Sequence, residues 1–270
     1  MNYNILNRKS LLVVALTYVN IMRTAALSTQ SLATNRKTAI VTGSTDGIGV
    51  TTAKNLAVQG FNVIIHGRDE NRIKRAVKEV QSFAGAADII DNQIFTVEAD
   101  ISTIRGCQSF VQNVKDVLTE NNLTLDILMN NAGVFEQDYR VTEDALEMTF
   151  AVNVMAPFII TSNLLSKLLE PKSHQSRIVI ASSISQCRSI DHWDDLQCNI
   201  RQYSTHRAYS ESKLLDAMLA AEMGTRLENA GIGKDRITCN SLDPGTVNTK
   251  MLLAGWGPCG IDVEDALGKS

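Results

Sequence analysis

From Thr38 onward the sequence predicts an α/β domain, a doubly wound parallel sheet flanked by helices. Three observations predict it. Short apolar runs alternate with longer stretches of helical period, the pattern of βαβ units. A glycine-rich turn, TGSTDGIG, directly follows the first apolar run. The chain has 270 residues, 44% of them hydrophobic, enough to bury one sizeable core without dividing. A single domain over residues 36–270 follows.

In order, strands are expected at Thr38–Thr42, Phe61–His66, Ile94–Glu98, Ile127–Asn130, Arg177–Ser182 and Ile237–Leu242. Helices are expected between them, at Glu70–Ala84, Thr103–Glu120, Thr142–Leu169 and Ala208–Ala230, the last stopped by Gly231. No internal repeat or low-complexity tract interrupts the series. In such an open sheet ligands bind at the carboxyl ends of the strands, so the residues just after each run are the first candidates.

The N-terminus reads differently. Arg8 and Lys9 precede the apolar run Leu11–Met22, and Ala25, Ala26 and Ser28 follow it. Residues 1–35 therefore read as a targeting presequence or a membrane anchor, although the run is short of the ~20 residues of a span. An endomembrane or organelle location follows, with membrane association through this segment; a cytoplasmic location is the alternative. A net charge of -3 offers no basic surplus for nucleic acid and points to a small partner. The five cysteines, Cys107, Cys187, Cys198, Cys239 and Cys259, lie far apart and read as reduced, mostly buried thiols. His66, His174, His192 and His206 show no metal spacing and read as surface or loop histidines, with no metal site.

The turn Thr42–Gly49 leads from a strand into a helix, the context of a Rossmann-type dinucleotide site. Gly43 permits the tight turn, Gly47 the approach of backbone to pyrophosphate, and Gly49 close helix packing. Ser44, Thr45, Asp46 and Ile48 complete the candidate cradle. The second strand ends in HGRDENR, so Arg68 stands where an acid would bind the ribose hydroxyls of NAD. A guanidinium there suits a 2′-phosphate, which favours NADP(H) over NAD(H); Asp46 and Asp69 keep the NAD(H) alternative open.

TGSTDGIG, then NNAG at Asn130–Gly133, then YSESK at Tyr209–Lys213 together resemble the short-chain dehydrogenase/reductase family. DDLQ, a following Tyr and AYSESKLLDAM are similar to its retinol dehydrogenase-like branch. The resemblance covers Thr38 to Ile261 and implies an oxidoreductase acting on CH–OH or carbonyl groups. Reducing a carbonyl needs a hydride and a proton. Tyr209 can supply the proton, and because a free phenol has a pKa of ~10, a cation must stabilise its phenolate. Lys213, four residues on, shares its helix face. The resemblance adds that Lys213 also bonds the nicotinamide ribose, that Ser183 (Ser182 as runner-up) bonds the substrate oxygen, and that Asn153 holds a water beside the lysine; a plain helix-packing amide is the alternative for Asn153. It also implies that Asn131, Ala132 and Gly133 lie beside the adenine ribose, Asp100 and Ile101 at the adenine, Pro244, Gly245 and Val247 at the nicotinamide amide, and Thr249 at the diphosphate.

From Ser183 to Tyr209 is 209 − 183 = 26 residues, longer than in the family's shortest members. The extra segment is expected to lie over the substrate pocket. It holds a decoy, Tyr203 with Arg207 at the same interval, in a stretch that reads as loop. Trp193, Trp256, Met251 and Leu252 are candidates for an apolar pocket, or simple packing. The sequence ends at LGKS, Leu267–Ser270, before the further helix and seventh strand that the family pattern implies, so the last strand is expected to be lacking and the oligomeric state stays open. The expected activity is NADP(H)-dependent interconversion of a hydrophobic alcohol and its aldehyde or ketone. The alternatives are a cofactor-binding regulatory or scaffold protein without turnover, and a light-dependent pigment reductase, a branch that shares the Tyr and Lys pair.

Overall fold

The computed structural model describes residues 36–84, 94–170, 172 and 174–262. Residues 1–35, read above as a presequence or anchor, and the ending 267–270 lie outside the described residues. Among the described residues six strands form one sheet: β1 (Thr38–Val41), β2 (Asn62–Gly67), β3 (Ile94–Glu98), β4 (Ile127–Asn130), β5 (Ser176–Ala181) and β6 (Ile237–Leu242). Their order is β3-β2-β1-β4-β5-β6, and every neighbouring pair is parallel. The order reverses at β1, which pairs with β2 on one side and β4 on the other. That switch point opens a crevice at the carboxyl ends.

Alternation along the strands sorts the core. Ile40, Ile64, Leu128 and Ile178 face one side, packed with Phe110, Ile160 and Leu164 from α3 (Ile104–Glu120) and α4 (Met148–Leu168). Val63 and Ile65 face the other, under α1 (Gly47–Val58) and α2 (Glu70–Ala84). The helix that carries Tyr209 and Lys213, α5 (Thr205–Asn229), joins the first layer through Ala220 and Leu227. A short α6 (Lys250–Trp256) closes the described chain.

Several boundaries differ from the expected ones for reasons of hydrogen bonding. Thr42 leaves β1 because its Oγ1 accepts the N–H groups of Asn131 and Ala132. The helix expected from Thr142 begins at Met148. Val141 and Glu147 instead pair as an antiparallel bridge, and the Glu147 carboxylate caps the helix by accepting from the N–H groups of Thr149 and Phe150 at 2.8 Å each. Helix α4 is apolar and long enough to cross a membrane by composition. Its inward residues Ile160, Leu164 and Leu168 are core, and a π-turn at Ala151–Met155 interrupts it at Asn153. All five cysteines are free, but only Cys107 and Cys198 are buried, and Cys259 is exposed. The sequence overstated their burial.

Candidate active site

A cleft of about 360 Å³ lies at the carboxyl ends of β1 to β4. Its floor is the glycine turn. Gly43 has φ +64, and a Cβ there would sit 3.0 Å from the Ala132 Cα. At Gly49 a Cβ would meet the Gly43 carbonyl at 2.3 Å and Asn131 Nδ2 at 2.6 Å. Only glycine allows this contact between turn and helix. The turn is tied to β4, since Asn131 Nδ2 donates to the Thr42 carbonyl at 2.9 Å. Asp46 caps α1 by accepting from Gly47 N–H.

His66 corrects the surface-or-loop reading of the histidines. It is 3% exposed, packs edge-on against Phe110, and lies in β2 with both ring nitrogens engaged. Nδ1 accepts from Gly43 N–H at 2.9 Å, so Nε2 carries the proton and donates to the Ala99 carbonyl at 3.2 Å. Burial pulls its pKa down to about 4, against the Ala99 hydrogen bond. The neutral ring thus clamps the glycine turn to the loop after β3. The signal was available: His66 lies two residues after core-facing Ile64 and so shares its face.

Most expected cofactor contacts line this cleft: Gly43, Thr45, Asp46, Gly47, Ile48, Gly49, Arg68, Asp100, Ile101, Asn131, Ala132, Gly133, Pro244 and Thr249. Three do not. Ser44 turns inward, donating to the Val41 carbonyl and accepting from His66 N–H. Gly245 and Val247 lie outside the lining; Val247 is buried and bridges to Ile261. Arg72, which sequence reading missed, joins Arg68 at the rim. Its Nη2 is 3.2 Å from Asp46 Oδ2, and Lys250 Nζ is 2.5 Å from the same oxygen. Burial would raise the Asp46 carboxyl, but Lys250, Gly47 N–H and Arg72 together hold it below the usual range.

At the other end of the cleft Tyr209 and Lys213 are 7% and 4% exposed. Lys213 Nζ lies 5.7 Å from the Tyr209 ring centroid. The ring packs against Phe135 and Trp256 at 5.4 and 5.6 Å, and Met251 also reaches the cleft. Asn153 is buried with its amide fully engaged: Oδ1 accepts from Val134 N–H, and Nδ2 donates to the Val134 carbonyl and Ser212 Oγ. It lies beside Gly133 together with Lys213, since a Cβ on Gly133 would lie 3.4 Å from Asn153 Oδ1 and 3.7 Å from Lys213 Nζ. Ser182 is buried and donates to the Lys213 carbonyl at 2.7 Å. Ser182 lines the cleft and Ser183 does not; Ser183 accepts from Ser185 N–H at 3.1 Å, which leaves its own O–H to donate.

The segment between Ser183 and Tyr209 is a braced insertion, and none of its residues 184–208 lines the cleft. Asp195 accepts from the N–H groups of Asn199, Ile200 and Arg201; these bonds, Arg201 N–H first, hold its carboxyl below the usual range against burial. Arg201 grips Glu211 through both terminal guanidinium nitrogens, Nη1 and Nη2. Glu211 sits on α5 between Tyr209 and Lys213. The decoy Tyr203 precedes α5, and its hydroxyl donates to the Glu136 carbonyl at 3.0 Å, so it and Arg207 share no helix face.

Residues 37–254 match the model of the short chain dehydrogenase family. The chain belongs to that family. Within it, this short-chain dehydrogenase falls in the retinol dehydrogenase-like branch. It is 34% identical over 215 residues to human Retinol dehydrogenase 13, covering 80% of this chain and 60% of that one. Human Polyprenol dehydrogenase is 34% identical over 217 residues, 80% and 62% of the two chains. The chain thus spans about three fifths of the length of these curated relatives. Among solved structures, landomycin C-6 ketoreductase LanV with bound NADP and rabelomycin superposes with TM-score 0.62 at 25% identity, covering 86% of each chain. The Pseudomonas aeruginosa RhlG/NADP complex, at 22% identity and TM-score 0.62 over 81% of this chain and 75% of that one, shares the fold.

Proposed function

We infer that the protein is an NADP(H)-dependent oxidoreductase that interconverts a hydrophobic alcohol and its aldehyde or ketone, with Tyr209 as general acid and base. One observation carries this reading: a single cleft has the glycine turn at one end and buried Tyr209 and Lys213 at the other. The donor set fits a dinucleotide. Gly43 and Gly49 leave bare backbone beside the α1 N-terminus, and the guanidinium groups of Arg68 and Arg72 at the rim suit a 2′-phosphate better than a ribose diol. A nicotinamide bound there would supply or accept the hydride.

The residues of the chain do the proton and positioning work. Tyr209 gives a proton to the carbonyl oxygen, or takes one from the alcohol, while the Lys213 ammonium stabilises the phenolate. The free O–H of Ser183 is suited to holding the reacting oxygen. Asn153 acts first as a brace, pinning Val134 and Ser212 on either side of the pair; a water beside Lys213 is an addition to that role. An apolar substrate is supported by Phe135, Trp256 and Met251 around Tyr209 and by the alcohols that the relatives' names carry. The presequence reading of residues 1–35 adds an endomembrane or organelle location, checked by imaging a fluorescent fusion with and without that segment.

The test follows NADPH absorbance against retinoid and isoprenoid aldehydes, ketones and quinones. Tyr209→Phe is expected to cost at least ~10²-fold in turnover; turnover that survives unchanged overturns the reading. A scaffold would bind NADPH equally in both proteins and turn over in neither. A pigment reductase would require light.

A further inference from the structure

We propose that Asp216 is a positioning residue for the proton-transfer pair: its buried carboxylate holds the Lys213 ammonium and sets how much of that charge reaches Tyr209. The proposal rests on the oxidoreductase reading above. Tyr209, Lys213 and Asp216 stand at i, i+4 and i+7 on α5, one face of the helix. Asp216 Oδ2 accepts from Lys213 Nζ at 2.8 Å, with side chains only 1% and 5% exposed. Nζ also donates to the Ala181 carbonyl at 2.8 Å. An ammonium has three hydrogens, so one remains for the cleft that Lys213 lines.

Among the described residues, Asp216 Oδ1 is buried with no hydrogen-bond partner. A purely structural acceptor for Lys213 needs one oxygen, and the second leaves carboxylate charge on an atom with no donor, which is costly. Lys213 alone therefore keeps Asp216 ionised. Burial pushes its carboxyl up against that attraction.

The surroundings leave Lys213 as the controlling charge. Helix α5 packs against β5, β6, the π-turn and Met148–Phe150. The π-turn and Met148–Phe150 carry no titratable side chain, and β5 carries only Arg177, exposed at its far end. On β6 the one titratable group is Cys239, whose thiol burial pushes up to about 12 and so keeps neutral. On α5 itself Glu211 is turned to Arg201.

The sign follows. Ionised Asp216 offsets the ammonium and opposes phenolate formation at Tyr209; protonated Asp216 leaves the whole cation to favour it. Removing the carboxylate makes Tyr209 ionise at lower pH.

Tyrosine ionisation is read by ultraviolet absorbance in the protein without cofactor, subtracting Tyr209→Phe in each background so that only Tyr209 is counted. Asp216→Asn is expected to move the Tyr209 midpoint about one pH unit lower, and Asp216→Glu, which keeps the charge, to restore it. The pH profile of alcohol oxidation should move in the same direction. An unchanged midpoint in folded Asp216→Asn overturns the proposal. So does failure of both Asp216→Asn and Asp216→Ser to fold by circular dichroism, which would make the residue structural only. Failure of the oxidoreductase reading looks different: no turnover in the unaltered protein, with the absorbance shift intact.

Discussion

The two ends of the cleft are held by different physics. At the nucleotide end, backbone meets backbone. Gly49 lies against the Gly43 carbonyl, and His66, neutral and buried, fastens Gly43 from below. At the other end, side-chain charges hold the geometry: Arg201 between Asp195 and Glu211, and Lys213 on Asp216. The backbone contact tolerates no added atom, and the His66 clamp beneath it tolerates no proton on Nδ1. A buried ion pair tolerates small changes of shape but not the loss of one partner.

That contrast can be broken from either side. The largest effect is expected for Arg201→Met, which leaves Glu211 and Asp195 without their cation. Loss of about 3–5 kcal/mol of stability is expected from urea unfolding, with the insertion near Trp193 loosening before the nucleotide end by hydrogen exchange. Equal loosening at both ends would erase the distinction.

Acid should act on the opposite end. The folded pKa of His66 is depressed from 6.5 to about 4, so its contribution is complete above 6.5 and is lost as pH falls from there toward 4, about 3 kcal/mol in all. The contribution of Asp195, whose carboxyl is held below the usual carboxylate range, goes only at more acid pH. Urea midpoints across this range should fall in the unaltered protein and flatten in His66→Gln; parallel curves would remove His66 from the account.

A smaller effect is expected for Gly49→Ala. Its Cβ must push the Gly43 carbonyl aside, at about 1–3 kcal/mol, and NADPH fluorescence titration should show binding weakened more than tyrosine chemistry. The smallest is expected for Arg68→Asp, at the open rim: roughly tenfold weaker NADPH with NADH little changed. Equal effects on both cofactors would remove Arg68 from the phosphate site.

Much of the nucleotide end was legible. Strands covered on both faces read as apolar runs, and the glycine spacing carries its own steric logic. His66 was misread because a histidine among apolar residues gives no local sign of burial; only strand parity with Ile64 marks it. Arg72 follows Arg68 by one helical turn, yet its place at the rim depends on where Asp46 and Lys250 bring their charges. The insertion was least legible. Asp195 and Arg201 are six residues apart in a stretch without period, and they meet Glu211 only because the loop folds back on α5.

What the sequence determined by itself is local and repetitive: the alternation that makes the sheet, the turn that only glycine can occupy, and the spacing of Tyr209 and Lys213 on one helix. Tertiary structure decided which polar side chains lost their water. His66, Asp195, Glu211, Lys213 and Asp216 are polar or charged residues that would read as solvated along the chain, and all are buried in the fold. Burial is the sum of contacts from segments distant in sequence, and with it come the hydrogen-bond partners that hold these residues in place.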